Sequence, residues 1–187
     1  MPGIASKSEL QMSFLRYALF TVPAVVLLGT LSGLLSNSGY GNPWFEALVK
    51  PSFMPPGWAF GAAWTILYIL IGLSLAMLLH AKGAHRRERT LAVFGLQLLL
   101  NFAWSPVFFA MHKVDLALSI ISAMMVALVV LIFLLWRIRI VAALLLFPYL
   151  GWLMFACALN YEIMALNPNA GGLVASGQTI NIEVNGS

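Results

Sequence analysis

Charge is scarce in this chain. Its 187 residues include ten Lys and Arg and six Asp and Glu, 9% in all, against about 25% in ordinary soluble domains. With 61% of the residues hydrophobic and a mean hydropathy of +0.93, a soluble fold would have nowhere to put its apolar surface. The sequence is that of an integral membrane protein. A single cysteine, Cys157, excludes an intrachain disulfide and reads as a packed thiol in an apolar span. The three histidines, His80, His85 and His112, fall at span ends or in loops, so no metal site is expected and no cofactor is called for. There is no Ser/His/Asp or Cys/His set, so hydrolytic chemistry has no machinery. Between their ends the spans carry no acidic, basic or histidine side chain, which argues against proton relays, ion-coupled transport and voltage sensing. Nothing resembles a selectivity filter or charged ring. The net charge of +4 sits on isolated residues and one short loop, so no nucleic-acid surface is expected.

What is present is five apolar runs near the 20 or so residues needed to cross a hydrocarbon core. They cover residues 14–35, 58–80, 91–111, 114–136 and 140–161, and they predict an all-α fold, a five-transmembrane-helix bundle over residues 14–166. Residues 1–13 read as a frayed N-terminal tail and 167–187 as a polar, Gly/Asn-rich, disordered C-terminal tail. Five spans place alternate loops on opposite sides. One side collects Lys7, Arg16, Lys82, Arg86, Arg87, Arg89, Arg137 and Arg139, and the other only Lys50 and Lys113. The positive-inside rule then puts the N-terminus in the cytoplasm and the C-terminus outside, if insertion is into an inner membrane. Without a basic, Ser-rich leader, a bacterial rather than a mitochondrial membrane is expected.

The chain is organised around residues 44–68. A loop from 36 to 57 carries Glu46, Lys50, Pro51, Pro55 and Pro56 and leads into a helix in which Phe60, Trp64 and Tyr68 share one face. A proline-stiffened lid over a pocket is one reading; ordinary packing with an interfacial aromatic anchor is the other. In the third span Gln97, Asn101, Trp104 and Phe108 form a stripe, and Pro106 should kink the helix near Asn101. Buried amides need partners, from a neighbouring helix or from a ligand. The fifth span carries Tyr149, Trp152, Ala156 and Asn160 on a comparable stripe, with Ala156 leaving room beside the Trp152 indole. Trp64, Trp104 and Trp152 lie inside three different spans rather than at their ends. Their convergence would make an aromatic cavity suited to a flat, weakly polar molecule. Gly29/Gly33 and Gly57/Gly61 are GxxxG-type spacings that serve either packing inside the bundle or a dimer.

Three blocks identify a resemblance. They are K-P-x-x-x-P-P-x-W-x-F-x-x-x-W-x-x-L-Y ending at Tyr68, Q-L-x-L-N-x-A-W-x-P-V-F-F from Gln97, and P-Y-L-x-W-x-x-F-A-x-x-L-N-Y from Pro148. Together with the five spans they resemble the translocator protein family, also called peripheral-type benzodiazepine receptors or tryptophan-rich sensory proteins. The resemblance implies a five-helix bundle, often a homodimer, that binds protoporphyrin IX and related tetrapyrroles, and in some members sterols or synthetic benzodiazepine and isoquinoline ligands. Carried over by motif position, the pocket walls would be Trp44, Phe60, Trp64, Asn101, Trp104, Trp152 and Ala156, with Tyr68 and Tyr149 on the same stripes. Phe45 stands where some members have Tyr, so a hydroxyl contact is lost there. The family implies transport, sensing or scavenging of the ligand. It also raises light-dependent porphyrin degradation, in which Trp64 and Trp152 would be the catalytic residues. A regulatory partner protein without a ligand is the third alternative. The proposed sterol motif needs a basic residue shortly after Tyr161; Glu162 and an apolar run stand there instead, which disfavours a sterol role.

Overall fold

The computed structural model describes residues 7–173. Among them there is no strand, and five helical stretches are long and apolar enough to cross a membrane. Helix α1 (Lys7–Leu35) leads to a loop containing the short α2 (Pro43–Ala47). Then come α3 (Gly57–His80), α4 (Arg87–Ser105) continued by a π-helical turn (Pro106–Ala110), and α5 (Val114–Trp136). The fifth span is broken into α6 (Ile140–Leu144) and α7 (Phe147–Leu166), and a 3-10 turn (Ala170–Gly172) follows.

Several boundaries differ from the sequence reading, for local reasons. Helix α1 already begins at Lys7, inside the expected tail. Helix α4 takes in Arg87–Thr90 of the expected basic connector, and the Arg87 guanidinium turns back to donate to the Leu78 and Leu79 carbonyls at the end of α3. The break before α7 is set by Pro148, which has no N–H to offer and whose ring would clash with the Leu144 carbonyl. Pro106 acts differently. It opens a π turn in which the Met111 amide reaches back to the Pro106 carbonyl (2.9 Å), and the wide turn sends both Phe108 and Phe109 inward.

The spans close into a ring: α1 packs on α3, α3 on α6, the α6–α7 arm on α5, α5 on α4, and α4 back on α1. Helix α1 buries Ala18, Thr21, Val25 and Gly29, spaced three or four apart, and turns Leu19, Phe20, Leu27 and Leu31 outward. Helix α5 fills the middle of the ring with Ile121, Met124, Leu128, Leu131 and Leu135, all at most 2% exposed. Hydrogen bonds stitch the ring where lipid could offer none. Thr21 donates to the Gly72 carbonyl (2.8 Å), Ser32 to Phe102 (2.6 Å) and Ser74 to Ala142 (2.9 Å). The half of the ring nearer the basic loops is solidly packed; the half under the 36–57 loop is hollow.

Candidate functional site

The hollow is a cavity of about 580 Å³ bounded by all five spans and roofed by the 36–57 loop. Its aromatic wall is continuous. Trp64 stacks on Tyr68 (5.3 Å between ring centroids) and meets Trp152 edge-on (6.4 Å), while Phe60 also meets Trp152 edge-on (5.8 Å). Across the cavity Trp104 stacks on Phe108 at 5.1 Å. Of the residues singled out from sequence, Phe45, Phe60, Trp64, Tyr68, Asn101, Trp104, Trp152 and Ala156 line this space.

Two do not. Trp44 lies outside the cavity: its ring packs on Phe108 and against His112 (4.4 Å), and its indole N–H donates to the Ala170 carbonyl (2.8 Å). It anchors the roof. Tyr149 is 1% exposed and sits behind the wall. Its hydroxyl accepts from Gln97 Nε2 (3.0 Å) and Asn101 Nδ2 (2.6 Å) and donates to the Met124 sulfur (3.3 Å). Tyr149 therefore joins α4, α5 and α7 beneath the floor.

The amides on the Asn101 stripe are thus divided between two uses. Their N–H groups serve as interhelical links, but Asn101 Oδ1 and Gln97 Oε1 have no partner, and neither has Trp152 Nε1. Such atoms are costly in a low-dielectric interior. Asn101 and Trp152 both line the cavity, but the unpartnered Asn101 Oδ1 and Trp152 Nε1 are themselves buried within its wall. Trp104 spends its N–H on Asn160 Oδ1 (3.3 Å), and Asn160 donates onward to the Val114 carbonyl (3.0 Å). Among the described residues no group of three or more His, Cys, Asp or Glu comes together.

The roof is a built structure. Asn42 caps α2 by accepting from the Phe45 amide (3.1 Å), Pro43 occupies the first turn, and Glu46 accepts from the Gly41 amide (2.9 Å). This N-P-x-x-E signature could have revealed α2 in advance. Asn42 also reaches the Phe109 carbonyl on the π turn (3.4 Å), and Lys50 lies 4.9 Å from the Phe45 ring centroid. The other end is held by residues expected to be a disordered tail. Asn167 pairs with both backbone groups of Val49, accepting from its N–H (2.8 Å) and donating to its C=O (2.9 Å), and Ala170 takes the Trp44 bond. The expectation of a disordered tail fails for residues 167–173, because buried polar partners hold them; residues 174–187 lie outside the described part. Replacing Asn167 by Ala removes two of these bonds at about 1 kcal/mol each, so amide exchange in residues 44–50 should quicken by at least about tenfold. Unchanged exchange there would show that the clasp does not hold the roof.

Comparison with known proteins agrees in extent and in kind. The sequence model of the TspO/MBR family matches residues 21–166. The chain is 39% identical over 147 residues to the tryptophan-rich protein TspO of Archaeoglobus fulgidus, covering 79% of this chain and 94% of that protein. It is 36% identical over 166 residues to the translocator protein of Sus scrofa, covering 81% and 94%. It is 35% identical over 128 residues to the tryptophan-rich sensory protein of Cereibacter sphaeroides, covering 68% and 79%. The five-span ring and these matches over most of its length make this chain a multi-pass membrane protein of the TspO/MBR family.

Proposed function

We propose that the cavity binds a flat, weakly polar ligand of the tetrapyrrole class, with protoporphyrin IX the first to test, and that the protein transports, senses or scavenges it. The observation carrying this reading is the aromatic cavity itself. Its volume lies in the range of small-molecule sites, about 300–1,000 Å³, and its lining is mainly apolar and aromatic, with uncharged hydroxyl and amide side chains as its polar complement. Broad π surfaces from Trp64, Trp104, Trp152 and Phe60 match a planar conjugated ring. Synthetic isoquinoline and benzodiazepine ligands would use the same walls; a sterol is disfavoured by the missing basic residue after Tyr161. The reading includes an N-terminus on the cytoplasmic side of a bacterial membrane, supported by the eight-to-two sorting of basic residues. It also includes a homodimer, whose face would lie away from Gly29 and Gly57, where Tyr68 and Tyr40 already sit.

Titrating the purified protein with protoporphyrin IX in the dark tests the binding. Tryptophan fluorescence should fall saturably, and Trp64→Phe and Trp152→Phe should each weaken the affinity by about tenfold through lost ring contact. Absence of saturable quenching by wild type would sink the porphyrin reading. A second reading, light-dependent oxidation of the bound porphyrin by dioxygen, is favoured by the approach of Trp64 to Trp152 on the cavity wall. It requires a new absorbing product under light and oxygen that is lost in either variant while some binding persists.

A further inference from the structure

The contacts between α1 and α3 change along their length. Near the basic loops the two helices touch backbone to backbone: a Cβ on Gly72 would lie 2.7 Å from Val22 Cα. One to two turns further toward the roof the seam is closed again, where a Cβ on Gly29 would enter the Tyr68 ring. Beyond that the small residues part. A Cβ on Gly61 would meet nothing within 4 Å, and one on Gly33 would meet only the Ser38 hydroxyl, at 3.0 Å. At the top the seam is closed once more by Tyr40, whose ring lies 2.9 Å from a Cβ built on Gly57 and whose hydroxyl donates to the Pro55 carbonyl (3.0 Å).

This leaves a gap framed by Tyr68 below, Tyr40 above, Thr30 and Leu34 on α1, and Gly61 and Thr65 on α3. These four side members line the cavity and are exposed. Among the described residues, the cavity-lining residues of α4, α5 and α7 are all buried or half-buried, and every exposed one lies on α1, α3 or the loop joining them. The depth of the gap follows from Trp58. That ring is 77% exposed at the start of α3, where an interfacial tryptophan belongs. Gly61 and Thr65 lie about 5 and 11 Å further along the helix at 1.5 Å per residue, which is hydrocarbon depth. Thr65 donates to the Gly61 carbonyl (2.8 Å), so its hydroxyl needs nothing from lipid. Inside, the cavity wall behind the gap carries Asn101, Trp64 and Trp152.

We infer that this gap is a lateral portal, through which an amphiphilic, membrane-dissolved ligand passes from the acyl region of the roof-side leaflet into the cavity while the clasped roof stays shut. The inference rests on the ligand reading above and adds its route. It also restricts the ligand class to molecules that partition into bilayers, since an aqueous solute would not reach the gap.

The test uses the full chain in phosphatidylcholine vesicles, with protoporphyrin IX delivered from donor vesicles. Gly61→Leu and Thr65→Leu place bulk in the gap. Each should slow both loading and release by about tenfold, a barrier effect, with the dissociation constant changed much less than either rate. Asn167→Ala, which loosens the roof, should leave both rates as in wild type. Wild-type loading by both leucine variants, or faster loading by Asn167→Ala, would overturn the portal. A second arm needs no porphyrin. Vesicles of phosphatidylcholine brominated on the upper acyl carbons should quench Trp152, read as wild type minus Trp152→Phe, and Gly61→Leu should abolish that quenching. If wild type fails to bind protoporphyrin IX, the ligand reading falls, and the brominated-lipid arm still decides the portal: equal Trp152 quenching in wild type and Gly61→Leu overturns it.

Discussion

Tyr149→Phe destabilises the bundle by about 2 kcal/mol although it removes one oxygen and leaves the packing volume almost unchanged. The hydroxyl is the shared acceptor for the Gln97 and Asn101 amide donors and itself donates to Met124. Without it, both amide donors are stranded in an interior where their carbonyl oxygens already lack partners. A single interhelical hydrogen bond in a membrane is worth only about 0.6 kcal/mol on average, because the separated helices find other partners. Stranding two donors at a site only 1% exposed goes beyond that average, since the penalty is desolvation without compensation. The sign of the rescue is the stronger test. Adding Gln97→Leu and Asn101→Leu to Tyr149→Phe removes the stranded groups together and should recover most of the loss. Reversible unfolding in mixed detergent micelles measures both. A Tyr149→Phe variant within about 0.5 kcal/mol of wild type would show that the network is incidental.

Gly72→Ala costs about 3 kcal/mol, against a helix-propensity gain of up to about 1 kcal/mol that the same change brings elsewhere in a helix. The added methyl meets the Val22 Cα and amide nitrogen, at 2.7 and 3.1 Å, and backbone atoms cannot rotate aside as a side chain can. Helix α1 has to move outward, which also lengthens the bond from Thr21 to the Gly72 carbonyl. Gly61→Ala is the control. It lies on the same helix with open space around it, so only the propensity gain remains and stability should rise. Equal stability changes at the two positions would mean that α1 and α3 are not packed as described.

The two predictions depend on different kinds of information. Tyr149, Gln97 and Asn101 could be picked out from sequence as polar groups on apolar stripes, because hydrocarbon forces such groups to find partners. Which atoms pair could not be read, and Tyr149 proved to be an internal link rather than cavity wall. Gly72 has no such mark in the sequence. A glycine in an apolar run carries no sign of whether a neighbour touches it, and the GxxxG spacing pointed to Gly29 and Gly33 without saying that Tyr68 would occupy the first.

The number of spans and the alternation of the loops between them were decided by the sequence alone, because crossing hydrocarbon takes a run of some 20 apolar residues and charge cannot follow. Tertiary structure decided which face of each span turns inward. In lipid both faces are apolar, so α1 can expose Leu19, Phe20 and Leu27 and bury Val25 with no contrast in hydropathy between them. It also decided the roof. Trp44 and Asn167 meet partners 126 and 118 residues away in the chain, and no local pattern of residues records an encounter between segments that only the closing of the ring brings together.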